Sequence, residues 1–240
     1  MKITAIIPTY NEAENLPGLV SALFLVPLDV KILIVDDNSP DGSGDIADKL
    51  ALENPGKLDV IHRPGKLGLR SAYLTGFKQA LSEKVDAIVQ MDADLSHDPA
   101  CLVPMAERLS KCQLVLGSRY MPGGQLDDLW PIWRKALSAW GNFYARTILD
   151  IPMRDVTTGY RMWQAEALSA MPLERVQSNG YVFLVEMVYL AHRMGYKLGE
   201  VPIYFADRRF GRSKMSFKIQ VEAALRIWQL LWIYRDLLSR

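Results

Sequence analysis

Along the first hundred residues, short apolar runs alternate with stretches of helical spacing. Residues 3–10 (ITAIIPTY) form a β-branched run bounded by turn residues. Residues 12–25 (EAENLPGLVSALFL) carry apolar positions at helical spacing, and residues 31–42 (KILIVDDNSPDG) read as a second strand closing on a turn. The alternation continues with a helix over 43–54, a short strand over 58–64, a helix over 70–83 and a strand over 85–94. Strands that are continuously apolar, not alternating, suit a parallel sheet covered on both faces. The pattern therefore predicts an α/β fold with a mostly parallel, doubly wound sheet and flanking helices.

Past Asp98 the rhythm loosens. Residues 101–112 are helical and 113–120 (QLVLGSRY) form another strand. A Gly/Pro-marked loop over 121–130 leads into an aromatic-rich helix over 132–149. Residues 155–164 (DVTTGYRMWQ) lead to a helix over 178–195 that ends at Gly195. A strand and a basic loop follow over 197–216, and the remaining residues are helical. We expect one domain over 1–215 and an amphipathic helical tail over 216–240, either part of that domain or a membrane or partner contact.

In doubly wound sheets ligands sit beyond the carboxyl ends of the strands. Three polar clusters fall there: Pro8 to Glu12, Asp36 to Asn38, and Asp92 to Asp94. Strand side chains at i and i+2 share a face, so Asp92 and Asp94 can point together. Paired carboxylates repel unless a cation holds them. Mg²⁺ or Mn²⁺ would do so, and Mg²⁺ sites usually combine one or two carboxylates with substrate phosphates. The competing reading makes both solvated loop acids, with Asp94 capping the helix after Pro99. A diphosphate would also need cations. Arg119, Arg134, Lys135, Arg208, Arg209, Arg212 and Lys214 are the candidates, with Gly211 and Ser213 making the last stretch turn-like.

Composition narrows the classes without choosing among them. The chain has 240 residues, 50% hydrophobic and 23% charged, with a net charge of +1. No global field or motif points to nucleic acid. Cys101 and Cys112 share no metal-binding spacing and read as reduced thiols. The N-terminal apolar run is too short for a signal peptide, and no apolar run of about 18 residues predicts a membrane span. The stretch Asp37-x-Ser39-x-Asp41-Gly42 only faintly resembles a calcium loop, because Pro40 interrupts it and Asp48 stands where a bidentate Glu is needed. His97 could be a ligand or base, with a polar turn residue as the default. His62 and His192 have no partner at metal spacing.

Six motifs carry a resemblance when taken in order: IIPTYNE, VDDNSPDG, MDADLSHDP, GSRY, GYVFLVEM and EVPIYFADRRFGRSK. From about Ile3 to Lys214 the chain resembles dolichol-phosphate mannose synthases and related polyprenyl-phosphate glycosyltransferases, inverting family-2 enzymes of the GT-A (nucleotide-diphospho-sugar transferase) fold. The resemblance implies that Pro8, Tyr10, Glu12, Val35 and Asp37 line the nucleoside pocket. It implies that Asp92 and Ala93 contact the sugar nucleotide and that Asp94, with Asp92, holds Mg²⁺ or Mn²⁺. Arg119 would reach a phosphate, Arg134 would lie near the acceptor phosphate, and Arg208 and Lys214 would clamp phosphates from a closing loop. Arg70 and Ser96 depart from the pattern: relatives usually carry a small residue at the first position, and some carry Gln at the second.

The implied reaction moves a sugar, GDP-mannose being the donor by resemblance, onto a polyprenyl monophosphate. A related donor such as UDP-glucose is the alternative. A phosphate monoester has a second pKa of about 6, so the acceptor is largely dianionic at neutral pH and needs no general base. Two rivals come from other classes. A pyrophosphorylase-like enzyme would require a basic Gly-rich loop after the first strand, where PTYNEAEN is acidic. A non-catalytic lipid-binding module would make the aromatic helices the functional part. Those helices, about 130–148 and 217–238, carry Trp, Tyr and Phe beside basic residues. That composition suits the cytoplasmic face of a membrane, or a small membrane subunit, as the place where a peripheral enzyme meets its acceptor.

Overall fold

The structure is a computed structural model that describes residues 1–207 and 217–237, the side chains of 217–221 excepted. Among the described residues, seven strands form one sheet in the order β3 (Leu58–His62), β2 (Asp29–Asp36), β1 (Lys2–Thr9), β4 (Ala87–Gln90), β7 (Arg161–Gln164), β5 (Leu114–Ser118) and β8 (Leu198–Pro202). β1 pairs in parallel with β2 and β4, β2 with β3, and β5 with β8. The sheet is thus mostly parallel, as the apolar runs predict. A second, two-stranded sheet joins β6 (Gln125–Leu126) to β9 (Tyr204–Phe205).

β7 is the departure. The sequence suggests only a lead-in over 155–164, but residues 161–164 run antiparallel between β4 and β5. Four residues are too few to display a period, and an arginine and a tryptophan at alternate positions do not look like a core strand. All the same, Arg161, Met162 and Trp163 are fully buried.

Helices cover both faces. α1 (Leu16–Phe24), α2 (Ser43–Glu53) and α4 (Leu102–Leu109) pack on one, where Leu16, Leu19, Ala47 and Met105 meet Ile3, Ile32 and Ile34. α3 (Leu69–Ser82), α5 (Ile132–Ile148) and α7 (Gly180–Arg193) cover the other, together with the short α6 (Ala165–Ser169) and α8 (Phe217–Ile233). Gly76 lets α3 lie on β1, since a Cβ there would come within 2.5 Å of Ile6 Cγ2. α8 shares this core through buried Ile227 and Leu230 and through Tyr234 just beyond it. Buried Glu186 on α7 accepts hydrogen bonds from Ser178 N and Tyr234 Oη, and Arg175 pairs with Asp236 at 2.7 Å. The described part of the 216–240 segment is therefore packed onto the body of 1–215.

Candidate active site

The carboxyl ends of β1, β2 and β3 build one side of the rim. The parallel register sets Pro8 beside Val35 and Thr9 beside Asp36. Beyond them the two loops are laced together by hydroxyls and acids: Asn11 N donates to Ser39 Oγ, Glu12 N to Ser43 Oγ and Ala13 N to Asp41. Asp41 also accepts from Ser43 N and Oγ, so the residues of the calcium-like stretch serve to fix the loops. Asn11 and Asn38 both have φ near +60°, a conformation that Asn tolerates better than most side chains. Asp37 is buried and forms an ion pair with Arg63 at 2.8 Å. Burial pushes its carboxyl above the usual range despite the pull of Arg63. Lys66 stands over the Tyr10 ring, 3.8 Å from its centroid.

The acid turn follows β4. Asp94 is buried, and its Oδ1 accepts from both Ser96 N and Ser96 Oγ, which fixes the carboxylate. The capping role considered for Asp94 belongs to Asp98, which accepts from Ala100 N at 2.9 Å. Leu95, between the acids and Ser96, holds φ +61. A left-handed leucine costs roughly 1–2 kcal/mol, a strain found where the backbone is fixed for function. His97 is buried, stacks on Tyr160 at 4.8 Å and receives Asp92 N on Nδ1 at 3.1 Å. Accepting there requires an unprotonated Nδ1, so this imidazole supports the turn.

The turn suits a hard divalent cation. It offers oxygen donors from neighbouring carboxylates, one of them rigidly oriented. Among the described residues no group of three or more His, Cys, Asp or Glu forms a ready-made metal cage. Such a turn matches a cation that completes its shell with substrate oxygens and water.

Across β7 lies the basic edge. Arg119, directly after β5, donates Nε and Nη2 to the two oxygens of Asp155 at 2.7 and 2.8 Å, and Nη2 also reaches Thr157. Asp155 is fully buried. Burial opposes its charge, but the charge and hydrogen bonds of Arg119 win and hold the carboxyl below its usual range. Gly124 allows this crowding, since a Cβ would strike the Ser118 carbonyl. Arg134 lies on the Trp130 ring and reaches Asp207 at 3.1 Å. Arg208 and Lys214 lie outside the described residues. Arg70 staples α3 to the Val176 carbonyl at 2.8 Å.

The rim therefore brings together Pro8, Val35, Asp37, Asp92, Ala93 and Asp94, with Arg119 and Arg134 on its far side. Sequence reasoning passed over Arg63, Asp155, Arg161 and the support given by His97. Arg63 carried a usable signal, because it follows the third parallel strand and that carboxyl end joins the same rim.

Residues 4–171 match the family described as Glycosyl transferase family 2. The chain belongs to this family. A protein named undecaprenyl-phosphate mannosyltransferase from Micrococcus luteus is 42% identical over 242 residues, covering 100% of this chain and 99% of that one. Polyprenol monophosphomannose synthase of Mycolicibacterium smegmatis is 42% identical over 236 residues, 98% of this chain and 88% of the relative. Among solved structures, glucosyl-3-phosphoglycerate synthase of Mycobacterium tuberculosis, in complex with Mn²⁺, UDP and its product, superposes with a TM-score of 0.67 at 16% identity, over 97% of this chain and 79% of that one. The mannosyltransferase PcManGT of Pyrobaculum calidifontis, in complex with GDP-Man and Mn²⁺, gives 0.59 at 16% identity, over 98% and 72%. These likenesses fix the fold as that of GT-A glycosyltransferases. The family-2 chain is a glycosyltransferase.

Proposed function

We propose that this glycosyltransferase moves mannose from GDP-mannose to a polyprenyl monophosphate, with inversion at the anomeric carbon. The observation that carries the reading is one rim with buried Asp37 beyond the first two strands, an acid turn at Asp92–Asp94 and a basic edge at Arg119 and Arg134. The names of the two relatives with 42% identity over nearly their full length support the acceptor and the sugar.

The residues divide the work. Asp37 accepts a hydrogen bond from the nucleoside, with Pro8, Tyr10, Glu12 and Val35 shaping its pocket. Asp92 and Asp94 hold a divalent cation, Mn²⁺ or Mg²⁺, beside the donor diphosphate, and Ala93 leaves room for the sugar nucleotide. When bound, that cation neutralises charge on the departing nucleoside diphosphate. Arg134, with Arg119, Arg208 and Lys214, meets the phosphates as cationic donors. An acceptor phosphate oxygen attacks C1 as the bond from C1 to the diphosphate oxygen breaks, so an α-linked donor gives a β-linked product. The acceptor is largely dianionic at neutral pH and needs no base. That agrees with His97 Nδ1 being engaged by the backbone of its own turn. Rate enhancement then rests on alignment and charge stabilisation.

The acceptor is a membrane lipid, yet among the described residues no helix is long and apolar enough to cross a membrane. The exposed aromatic faces of α5 and α8 are the surface we assign to the cytoplasmic membrane interface or to a small membrane subunit. The test is a panel of sugar nucleotides offered with a polyprenyl phosphate, with Mg²⁺ and with Mn²⁺, the product read by mass. A polyprenyl-phosphate hexose from GDP-mannose is expected. Product only from UDP-glucose would replace the donor, and no lipid product from any donor would end the reading.

A further inference from the structure

Arg161 is a charge where the sheet should be apolar. It lies on β7 inside the sheet, opposite Gln90 of β4 and Leu116 of β5, and is completely buried. Its neighbours on the strand, Met162 and Trp163, are equally buried. A buried guanidinium normally has a carboxylate in hydrogen-bond contact, because its desolvation penalty is several kcal/mol. Here the bonds go to two backbone carbonyls instead. Nε donates to Thr158 O at 2.9 Å and Nη2 to Val156 O at 3.1 Å, while Nη1 is buried with no hydrogen-bond partner among the described residues. Asp155 and Asp92 act on it only through space. Burial pulls the guanidinium down to about 9, which leaves it cationic at neutral pH.

The two carbonyls belong to a loop with contacts in both directions. At one end Asp155 and Thr157 hold Arg119. At the other, Gly159 lies against the acid turn: a Cβ there would be in ordinary van der Waals contact, 3.4 Å from Asp92 Oδ1 and 3.4 Å from His97 Cε1. Tyr160 continues the contact by stacking on His97 and donating to the Asp98 carbonyl at 2.9 Å.

We propose that Arg161 is a positioning residue for the transfer reaction: its buried fork ties the 156–158 backbone, so that one loop fixes the Asp92 carboxylate and Arg119 at a set separation. The fork acts before any ligand arrives, and the donor diphosphate meets an acid turn and a basic edge already in register. An apolar side chain of similar volume would fill the space but leave both carbonyls without their donor. Lysine would keep the charge, yet one ammonium on a flexible stem does not reproduce a planar two-point tie. The inference rests on reading Asp92 and Asp94 as the cation-holding acids, and the test separates the two.

Full-length Arg161→Lys and Arg161→Met are compared with wild type for Mn²⁺ binding without donor, read by electron paramagnetic resonance, and for kcat, donor KM and thermal midpoint. Both variants are expected to bind Mn²⁺ at least fivefold more weakly and to lose at least tenfold in kcat. Trp163→Phe, which removes an equally buried neighbour's bond to Gln90, should melt earlier with Mn²⁺ affinity and kcat unchanged. If the Arg161 variants also only melt earlier, or if lysine restores wild-type values, the positioning role is overturned. Should both fail to fold, Gly159→Val decides alone: its γ-methyls, set beyond a Cβ position already 3.4 Å from Asp92 Oδ1, are expected to weaken Mn²⁺ binding, and unchanged binding overturns the proposal. If wild-type protein bound no Mn²⁺ even with GDP-mannose present while Arg161→Met still lost kcat, the metal reading would fall and the tie between loop and rim would stand.

Discussion

Two buried Asp–Arg pairs flank the acid turn, and they are built differently. On the nucleoside side Asp37 meets Arg63 through a single ion-pair contact at 2.8 Å, with further backbone bonds from Gly68 and from Leu67 N at 3.2 Å. On the acceptor side Asp155 receives a bidentate fork from Arg119, the Arg119 backbone N–H and the Thr157 hydroxyl. The first carboxyl is raised above its usual range and the second lowered. Burial opposes both charges, so the difference lies in the compensation. Asp155 is saturated and acts as a strut. Asp37 is undercompensated, as a group that completes its bonding with a ligand would be. On the proposed reading, a group that serves structure and a group that serves binding share residue types and depth and differ in how fully their charge is compensated.

The largest effect should come from the turn between the pairs. Asp94→Asn is expected to remove turnover by about 100-fold or more, the scale of losing a preorganised charge-stabilising element. The circular dichroism spectrum should stay unchanged. Wild-type turnover at saturating donor would deny Asp94 its cation role. Next come the pairs themselves. Asp155→Asn leaves Arg119 buried without a carboxylate and should destabilise the fold by about 3–5 kcal/mol, a thermal shift on the order of 10 °C. Asp37→Asn should cost clearly less stability while raising donor KM. Equal shifts in melting temperature would erase the distinction between strut and binding group.

Acid should separate the pairs again. Asp155 has a depressed folded pKa, so its stabilisation is complete above the ordinary carboxylate value of about 3.9 and is lost as pH falls through the lower folded value. Asp37 has a raised folded pKa, so its ionised form is penalised in the fold and it takes up a proton at higher pH than Asp155. Donor KM should therefore rise on acidification before the thermal midpoint begins to fall, and Asp37→Asn should flatten that rise. The measurement is donor KM and melting temperature side by side down to about pH 3. Simultaneous onset would contradict the assigned shifts.

Much of this was legible before any coordinates. The first four parallel strands announce themselves because burial on both faces makes them continuously apolar, and the clusters at Pro8, Asp37 and Asp92 follow from their carboxyl ends. The partners were not legible. Asp155 and Arg161 are charges whose burial depends on contacts distant in sequence, and nothing local separates them from solvated residues; Arg63 offered only its place after the third strand. His97 looked like an ordinary turn residue, yet its ring is a packing element between Tyr160 and Phe205. β7 was hidden by its length. On the acceptor side the basic residues were visible as a class, but which of them is committed to a carboxylate was decided only by packing.

The smallest expected effects concern the surface that would meet the lipid. α5 and α8 present a joined aromatic face. Trp228 Nε1 donates to Tyr144 Oη, which donates to the Ala224 carbonyl, and Trp140 stacks on Tyr144. Around these links Trp140, Phe143 and Trp232 are 57%, 58% and 72% exposed, with Arg146, Arg226 and Arg235 on the same helices or just beyond. Trp and Tyr favour the headgroup level, and basic residues favour anionic lipid. Trp228→Ser would mix two effects, because it also breaks the tie between the helices. Among the described residues Trp232 makes no such bond and has a ring contact with Arg235 at 5.3 Å, so Trp232→Ser is the cleaner probe. Partial burial of one indole is worth on the order of 1 kcal/mol, so flotation with anionic vesicles should weaken about fivefold. Turnover of a short, water-soluble polyprenyl phosphate should be untouched. Leu52, 82% exposed on α2 across the sheet, supplies the control, and Leu52→Ser should leave flotation unchanged. Equal flotation of Trp232→Ser and wild type would remove the lipid from this face and leave a protein subunit as its occupant.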